Sequence, residues 1–175
     1  MRVLLVSQYY APEVGATQNR MTAFAHGLAE RGHRVTVVCE QPNHPQGVFR
    51  EGYGRRPLMR RTERGTRVHR LWVAASPRKT TARRLAFYGS FAGGAALDVG
   101  ALARRHDVVV ATSPPLPGAL AAAAVARVAR RPFVLDVRDL WPAAAEALGE
   151  LSDPRLVRWA TRAERWLYRT SSAVT

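Results

Sequence analysis

The chain has 175 residues, 47% of them hydrophobic and 23% charged, so it can bury a full single-domain core and is not globally disordered. One cysteine, Cys39, excludes an intramolecular disulfide and suits a reducing compartment. The net charge of +14, with Lys79 the sole lysine, favours an anionic partner: nucleic acid, acidic lipid or a phosphorylated substrate.

Val3-Leu4-Leu5-Val6 is a continuous apolar run, as expected of a strand buried on both faces. It is too short for a secretory signal and is broken by Tyr9-Tyr10-Ala11-Pro12. A polar loop runs from Ser7 to Ala16. Met21, Phe24, Ala25, Leu28 and Ala29 then recur at helical spacing, with Thr17 as the expected N-cap and Gly32 as the stop. Val35 to Val38 reads as the next buried strand, and Cys39 at its end reads as a small buried hydrophobe rather than a nucleophile.

Gln41 to Gly65 is rich in Pro, Gly and Arg and has no period, so it is expected to be a long functional or mobile loop. Arg67 to Val73 is a third strand and Ala82 to Arg105 a helix. Within that helix, Leu85 to Ala103 is the stretch most like a membrane span. Its four glycines and Asp98 favour a helix buried against a sheet, with an interfacial helix as the second reading. Asp107 to Ala111 is a fourth strand. Leu116 to Arg130 is an alanine-rich helix entered through prolines, and Pro132 to Val137 is a fifth strand. Asp153-Pro154 starts a helix to about Thr170, and Ser172 to Thr175 opens a sixth strand. The alternation predicts an α/β fold, a Rossmann-like doubly wound parallel sheet, with no domain boundary between residues 1 and 175.

Ligands of such sheets bind beyond the carboxyl ends of the strands, so the loops there are the candidates. Tyr9 to Thr17 leads into a helix, where Gly15 permits close backbone approach and free N–H groups suit a phosphate or sugar oxygen. Neither a dinucleotide fingerprint nor a Walker sequence is present. In Gln41 to Gly47, prolines flank Asn43 and His44, either as a rigid turn or to present them to hydroxyls. Ser113 to Gly118 offers a helix start without a strong acid or base. Asp136-Val137-Arg138-Asp139-Leu140-Trp141-Pro142 crowds two carboxylates and an arginine at a strand end. They read either as an internal Asp–Arg pair bracing the loop or as groups for acceptor hydroxyls and phosphate, and their place in the fold favours the second. The five histidines show no metal-ligand spacing, and no nucleophile elbow appears.

Taken in order, five blocks resemble glycosyltransferase family 4, in particular its bacterial polysaccharide, colanic-acid-type branch. They are Met1 to Ala16 with its Tyr-x-Pro-Glu-x-Gly loop, Ala29 to Val35, Pro42 to Gly47, Ser113 to Pro115, and Asp136 to Pro142. The resemblance implies the N-terminal, acceptor-binding domain of a glycosyltransferase-B fold, without the C-terminal donor-binding domain and its paired glutamates. The fragment alone is therefore expected to be inactive. It implies retaining transfer from a nucleoside-diphosphate sugar, held by the missing domain, to a lipid-linked or saccharide acceptor in cell-surface polysaccharide synthesis. No metal or other cofactor is implied. Glu13, Gly15, Ala16, Asn43, His44, Asp136 and Arg138 become expected substrate-binding residues, with the Gly15 loop facing the donor diphosphate. Asp139 becomes the expected catalytic residue; many relatives carry a histidine near this point, where this chain reads Arg138-Asp139.

The charge is uneven. Twelve of the 35 residues from Arg50 to Arg84 are basic, and Arg155, Arg158, Arg162, Arg165 and Arg169 form one helical stripe beside Trp159 and Trp166. The stripe is either a solvated face or a contact for an anionic membrane, made by these arginines and Trp159. A cytoplasmic protein, peripheral on the inner face of the cell membrane, is the expectation. Two other classes compete. A nucleotide-binding Rossmann domain would use Glu40 after the second strand but lacks the glycines. A nucleic-acid module has the charge, but with no recognition motif no specific nucleic acid is expected.

Overall fold

Runs of β-branched and leucine residues form the centre of a seven-stranded sheet in a computed structural model that describes residues 1–78, 80–143, 146 and 153–175. Lys79, part of the basic run, lies outside the described residues. The strands are β1 (Arg2–Val6), β2 (Arg34–Glu40), β3 (Leu58–Glu63), β4 (Thr66–Leu71), β5 (Val108–Ser113), β6 (Phe133–Val137) and β7 (Ala173–Val174). Their order is β3-β4-β2-β1-β5-β6-β7, and all pairs are parallel except β3 with β4. Without β3 this is the Rossmann order, and it reverses between β1 and β5. The helices are α1 (Ala16–Glu30), α2 (Thr81–Leu102), α3 (Leu116–Val128) and α4 (Pro154–Thr170).

Strand alternation divides the core. Leu4, Val6, Val38, Val109, Ala111 and Leu135 pack with α2, α3 and α4, while Val3, Leu5, Val35, Val37 and Val68 pack with α1. Both faces of β1 are therefore covered, which is why its sequence is apolar at consecutive positions. Cys39 lies in the α1 layer with no exposure, and burial pushes its thiol up to about 12, so it is an inert hydrophobe.

Three expectations need correction. The stretch from Gln41 to Gly65 is not all loop. Its last part is β3, which returns antiparallel along β4 through the two-residue turn Arg64-Gly65. Both turn residues have positive φ, +45° and +76°, the geometry of a hairpin that glycine favours. Secondly, Gly15 and not Thr17 is the N-cap of α1, and no side chain caps that end. At the other end Gly32 does close the helix: its N–H donates to the Ala29 carbonyl and the His33 N–H to that of Leu28, the paired bonds of a Schellman stop.

The third correction concerns α2. Phe91, Ala95 and Val99 are buried, Asp98 pairs with His69 at 2.8 Å, and α3 approaches so closely that a Cβ on Gly118 would sit 2.8 Å from the Phe91 ring. Only 22% of the helix's apolar window is buried, however, and Leu85 and Leu97 are 67% and 80% exposed. By length and composition alone the helix would suffice to cross a membrane. Here its C-terminal half packs on the sheet and α3, and most of its first turns face outward.

Candidate functional site

Parallel topology brings the carboxyl ends of β1, β2, β5 and β6 to one side of the sheet, with the order reversal between β1 and β5 at its middle. The loops that follow are tied to one another. Glu13, in the loop after β1, is buried, and its Oε1 accepts from the backbone N–H groups of Asn43 and His44, both at 2.6 Å, in the loop after β2. Asn43 is also buried. Its amide donates to Glu40 Oε1 at 2.8 Å and to the Gln41 carbonyl at 2.9 Å. Gln8 donates to the other Glu40 oxygen at 2.8 Å. Burial, more than the neighbouring Glu13, raises the Glu40 carboxyl well above the usual carboxylate range. The side chains of Glu13 and Asn43 therefore face inward and set the loops, while His44 is exposed, its ring 5.4 Å from that of Tyr9.

The first loop also meets the fourth. Arg20 of α1 donates to Asp136 Oδ1 at 2.5 Å, and Arg138 donates to the Thr17 hydroxyl and, at 2.7 Å, to that of Thr112. Thr17, expected as a cap, is thus an anchor for Arg138. Burial lowers the Arg138 guanidinium below its ordinary value, against the pull of Asp139 and Asp136. Asp136 is buried and braced by an arginine, but the partner is Arg20 rather than its loop neighbour. Asp139 is exposed, and among the described residues its side chain has no hydrogen-bond partner. Gly15 and Ala16 sit at the uncapped start of α1, Gly15 half-buried and Ala16 exposed. A Cβ on Gly15 would come within 2.5 Å of the buried Gln18 amide.

Two hollows flank this centre. A polar one of about 320 Å³ is lined by Tyr9, His44, Arg78, Arg83, Arg84 and Tyr88 among others. An apolar one of about 700 Å³ opens between the first turns of α2 and α4, with walls that include Leu85, Pro115, Trp141, Leu156 and Trp159. Tyr9, Arg84 and Tyr88 line both. Burial first, then the adjacent Tyr88, holds the Tyr9 phenol far above its ordinary value, so it acts as a neutral hydrogen-bonding group. The arginines of the polar hollow were legible only as members of the basic run from Arg50 to Arg84. The signal that finds them is topological: the segment after β4 emerges at the same sheet end as the other loops. Among the described residues, no three His, Cys, Asp or Glu side chains converge to hold a metal ion.

With the converging loops described, the family can be read. The profile of the glycosyl transferase 4-like domain matches residues 15–175, nearly the whole chain. The chain belongs to this family. The glycosyltransferase domain is also similar in structure to the catalytic domain of starch synthase IV from Arabidopsis thaliana bound to ADP and acarbose. The TM-score is 0.56 at 13% identity over 78% of this chain, which spans 34% of that one. At that identity the likeness shows the fold, the Rossmann-like unit of a glycosyltransferase-B enzyme. No curated protein sequence matches the chain significantly.

Proposed function

We propose that this glycosyltransferase domain forms the acceptor side of a cleft in which a sugar passes, with retention, from a nucleoside-diphosphate sugar on a second domain to a lipid-linked or saccharide acceptor. The setting is bacterial cell-surface polysaccharide synthesis of the colanic-acid type. The observation that carries this reading is the convergence of the uncapped α1 start, Arg138 and exposed Asp139 at the order reversal of the sheet. The starch synthase structure, which holds ADP and acarbose, supports it as a likeness of fold. The test is transfer by the protein joined to a nucleotide-binding partner domain, with labelled nucleoside-diphosphate sugars and lipid or saccharide acceptors. Label is expected in the acceptor with the donor's anomeric configuration. An inverted product, or no transfer from any nucleoside-diphosphate sugar, overturns the reading.

The same reading puts the domain in the cytoplasm, on the inner face of the cell membrane. All five arginines of the α4 stripe are exposed. Trp159 and Trp166, 56% and 36% exposed, fill the sector between that stripe and the buried Ala160 and Leu167. This arrangement suits a helix lying at the headgroup level of an anionic bilayer. The chain is expected to sediment at low salt with phosphatidylglycerol vesicles and not with phosphatidylcholine vesicles. Equal sedimentation with both, or none with either, counts against membrane docking.

A further inference from the structure

We infer that the two hollows are one binding site for an amphiphile, with a phosphate-bearing head among Arg78, Arg83, Arg84 and His44 and a hydrocarbon chain between α2 and α4. The inference rests on the glycosyltransferase reading and selects, from the acceptors that reading allows, a lipid phosphate over a free saccharide.

Continuity is the first argument. Tyr9, Arg84 and Tyr88 line both hollows, so the two adjoin and a ligand that lies across these side chains touches both. The second argument is the change of chemistry across that junction. The polar side offers three guanidinium groups and an imidazole with no acidic residue in its lining. Among the described residues, none of the three arginines has a carboxylate partner. Guanidinium forks of this kind match phosphate oxygens in charge and geometry.

The other side is built for something else. Prolines, leucines and tryptophans make half of its lining, with Thr81 and Arg138 among the polar groups beside the shared Tyr9, Arg84 and Tyr88, and its size falls within the range of small-molecule sites. Its one acid, Asp153, already accepts the Arg155 backbone N–H at 2.7 Å as the cap of α4. A saccharide filling this hollow would set hydroxyl groups against leucine, proline and tryptophan side chains that offer them no partner over half of the lining. A hydrocarbon chain needs none. The rim residues Leu85, Leu156 and Trp159 are 67%, 47% and 56% exposed, so the apolar channel is open laterally, beside the arginine stripe of α4. A chain can enter it sideways from a bilayer while its phosphate stays among the arginines.

The test is a series of alkyl phosphates from butyl to octyl, kept below micelle formation. Binding is read by calorimetry and by fluorescence of Trp141 and Trp159, with octyl glucoside and inorganic pyrophosphate as controls. Burying a methylene is worth roughly fourfold in affinity, so octyl phosphate, with four more of them, is expected to bind roughly 250-fold more tightly than butyl phosphate. It should also bind at least about tenfold more tightly than octyl glucoside, given charged hydrogen bonds to the head. Arg83→Glu with Arg84→Glu should erase the preference over octyl glucoside and keep the chain-length dependence. Leu85→Glu, at an exposed position, should flatten that dependence while circular dichroism stays unchanged. Affinity independent of chain length, or equal for octyl phosphate and octyl glucoside, overturns the inference. Transfer by the joined protein separates the two levels. Transfer to a soluble saccharide at a rate indifferent to Leu85→Glu leaves the glycosyltransferase reading standing and overturns the amphiphile site. Chain-dependent phosphate binding without transfer to any acceptor supports the site and removes the reading.

Discussion

Replacing Asp139 with Asn is expected to lower sugar transfer by the joined protein about 10²- to 10⁴-fold in kcat, the range for loss of a positioned acid–base group. Thermal stability and acceptor KM should stay close to wild type. Two carboxylates share this loop, and their surroundings assign them different work. Asp136 is buried, paired with Arg20 and within 3.3 Å of the Thr175 hydroxyl, so its charge is already committed within the protein. Asp139 stands exposed three residues later, beside Arg138, whose own guanidinium is fixed by Thr17 and Thr112. On the proposed reading, an exposed carboxylate with no hydrogen-bond partner among the described residues, next to an arginine held by Thr17 and Thr112, is the group to meet an acceptor hydroxyl. Asn keeps its shape but cannot take a proton. Asp136→Asn should behave oppositely, losing stability by about 1–2 kcal/mol, because Arg20, with half its side chain exposed, can turn to water. Steady-state kinetics and thermal unfolding on the two variants distinguish these outcomes, and an Asp139→Asn protein with undiminished kcat places the chemistry elsewhere.

The parallel strands themselves were legible because β1, β2, β5 and β6 are buried on both faces, and burial of that kind writes itself as apolar runs. β3 escaped because an edge strand has no such need. Arg60 and Arg61 lie exposed along it, and only the Arg64-Gly65 turn marks it as half of a hairpin. The candidate loops could be placed from topology, but the side chains facing outward from them could not. Glu13 and Asn43 are short-range candidates by sequence, yet the backbone N–H groups that occupy Glu13 belong to a loop 30 residues away. The amphipathic stripe of α4 was readable from its spacing alone. The exposure of α2 was not, because an apolar helix reads the same whether its outward face meets protein, lipid or a ligand.

Glu63→Ala should destabilise the chain by about 3 kcal/mol, the lower edge of the range for breaking a buried ion pair, because Glu63 itself keeps 33% exposure. Among the described residues Arg70 is the largest fully buried side chain, 1% exposed. One nitrogen of its guanidinium donates to both Glu63 oxygens at 3.0 Å, and another approaches Cys39 Sγ at 3.6 Å. Burial alone would lower the Arg70 pKa, yet Cys39 and Glu63 outweigh it and raise it, so the group stays charged inside the α1 layer. Removing the carboxylate leaves that charge without its counterion, whereas removing the charge leaves a surface-accessible carboxylate that water can solvate. Arg70→Met should therefore cost much less than Glu63→Ala, and the double variant should recover most of the loss. In a domain of this size the single Glu63 variant is expected to unfold roughly 6–12 °C lower. Thermal and urea unfolding at neutral pH check the cycle. If Glu63→Ala and Arg70→Met are simply additive, the pair is an ordinary edge-strand contact, and the anchoring of β3 to the sheet rests on its hairpin hydrogen bonds alone.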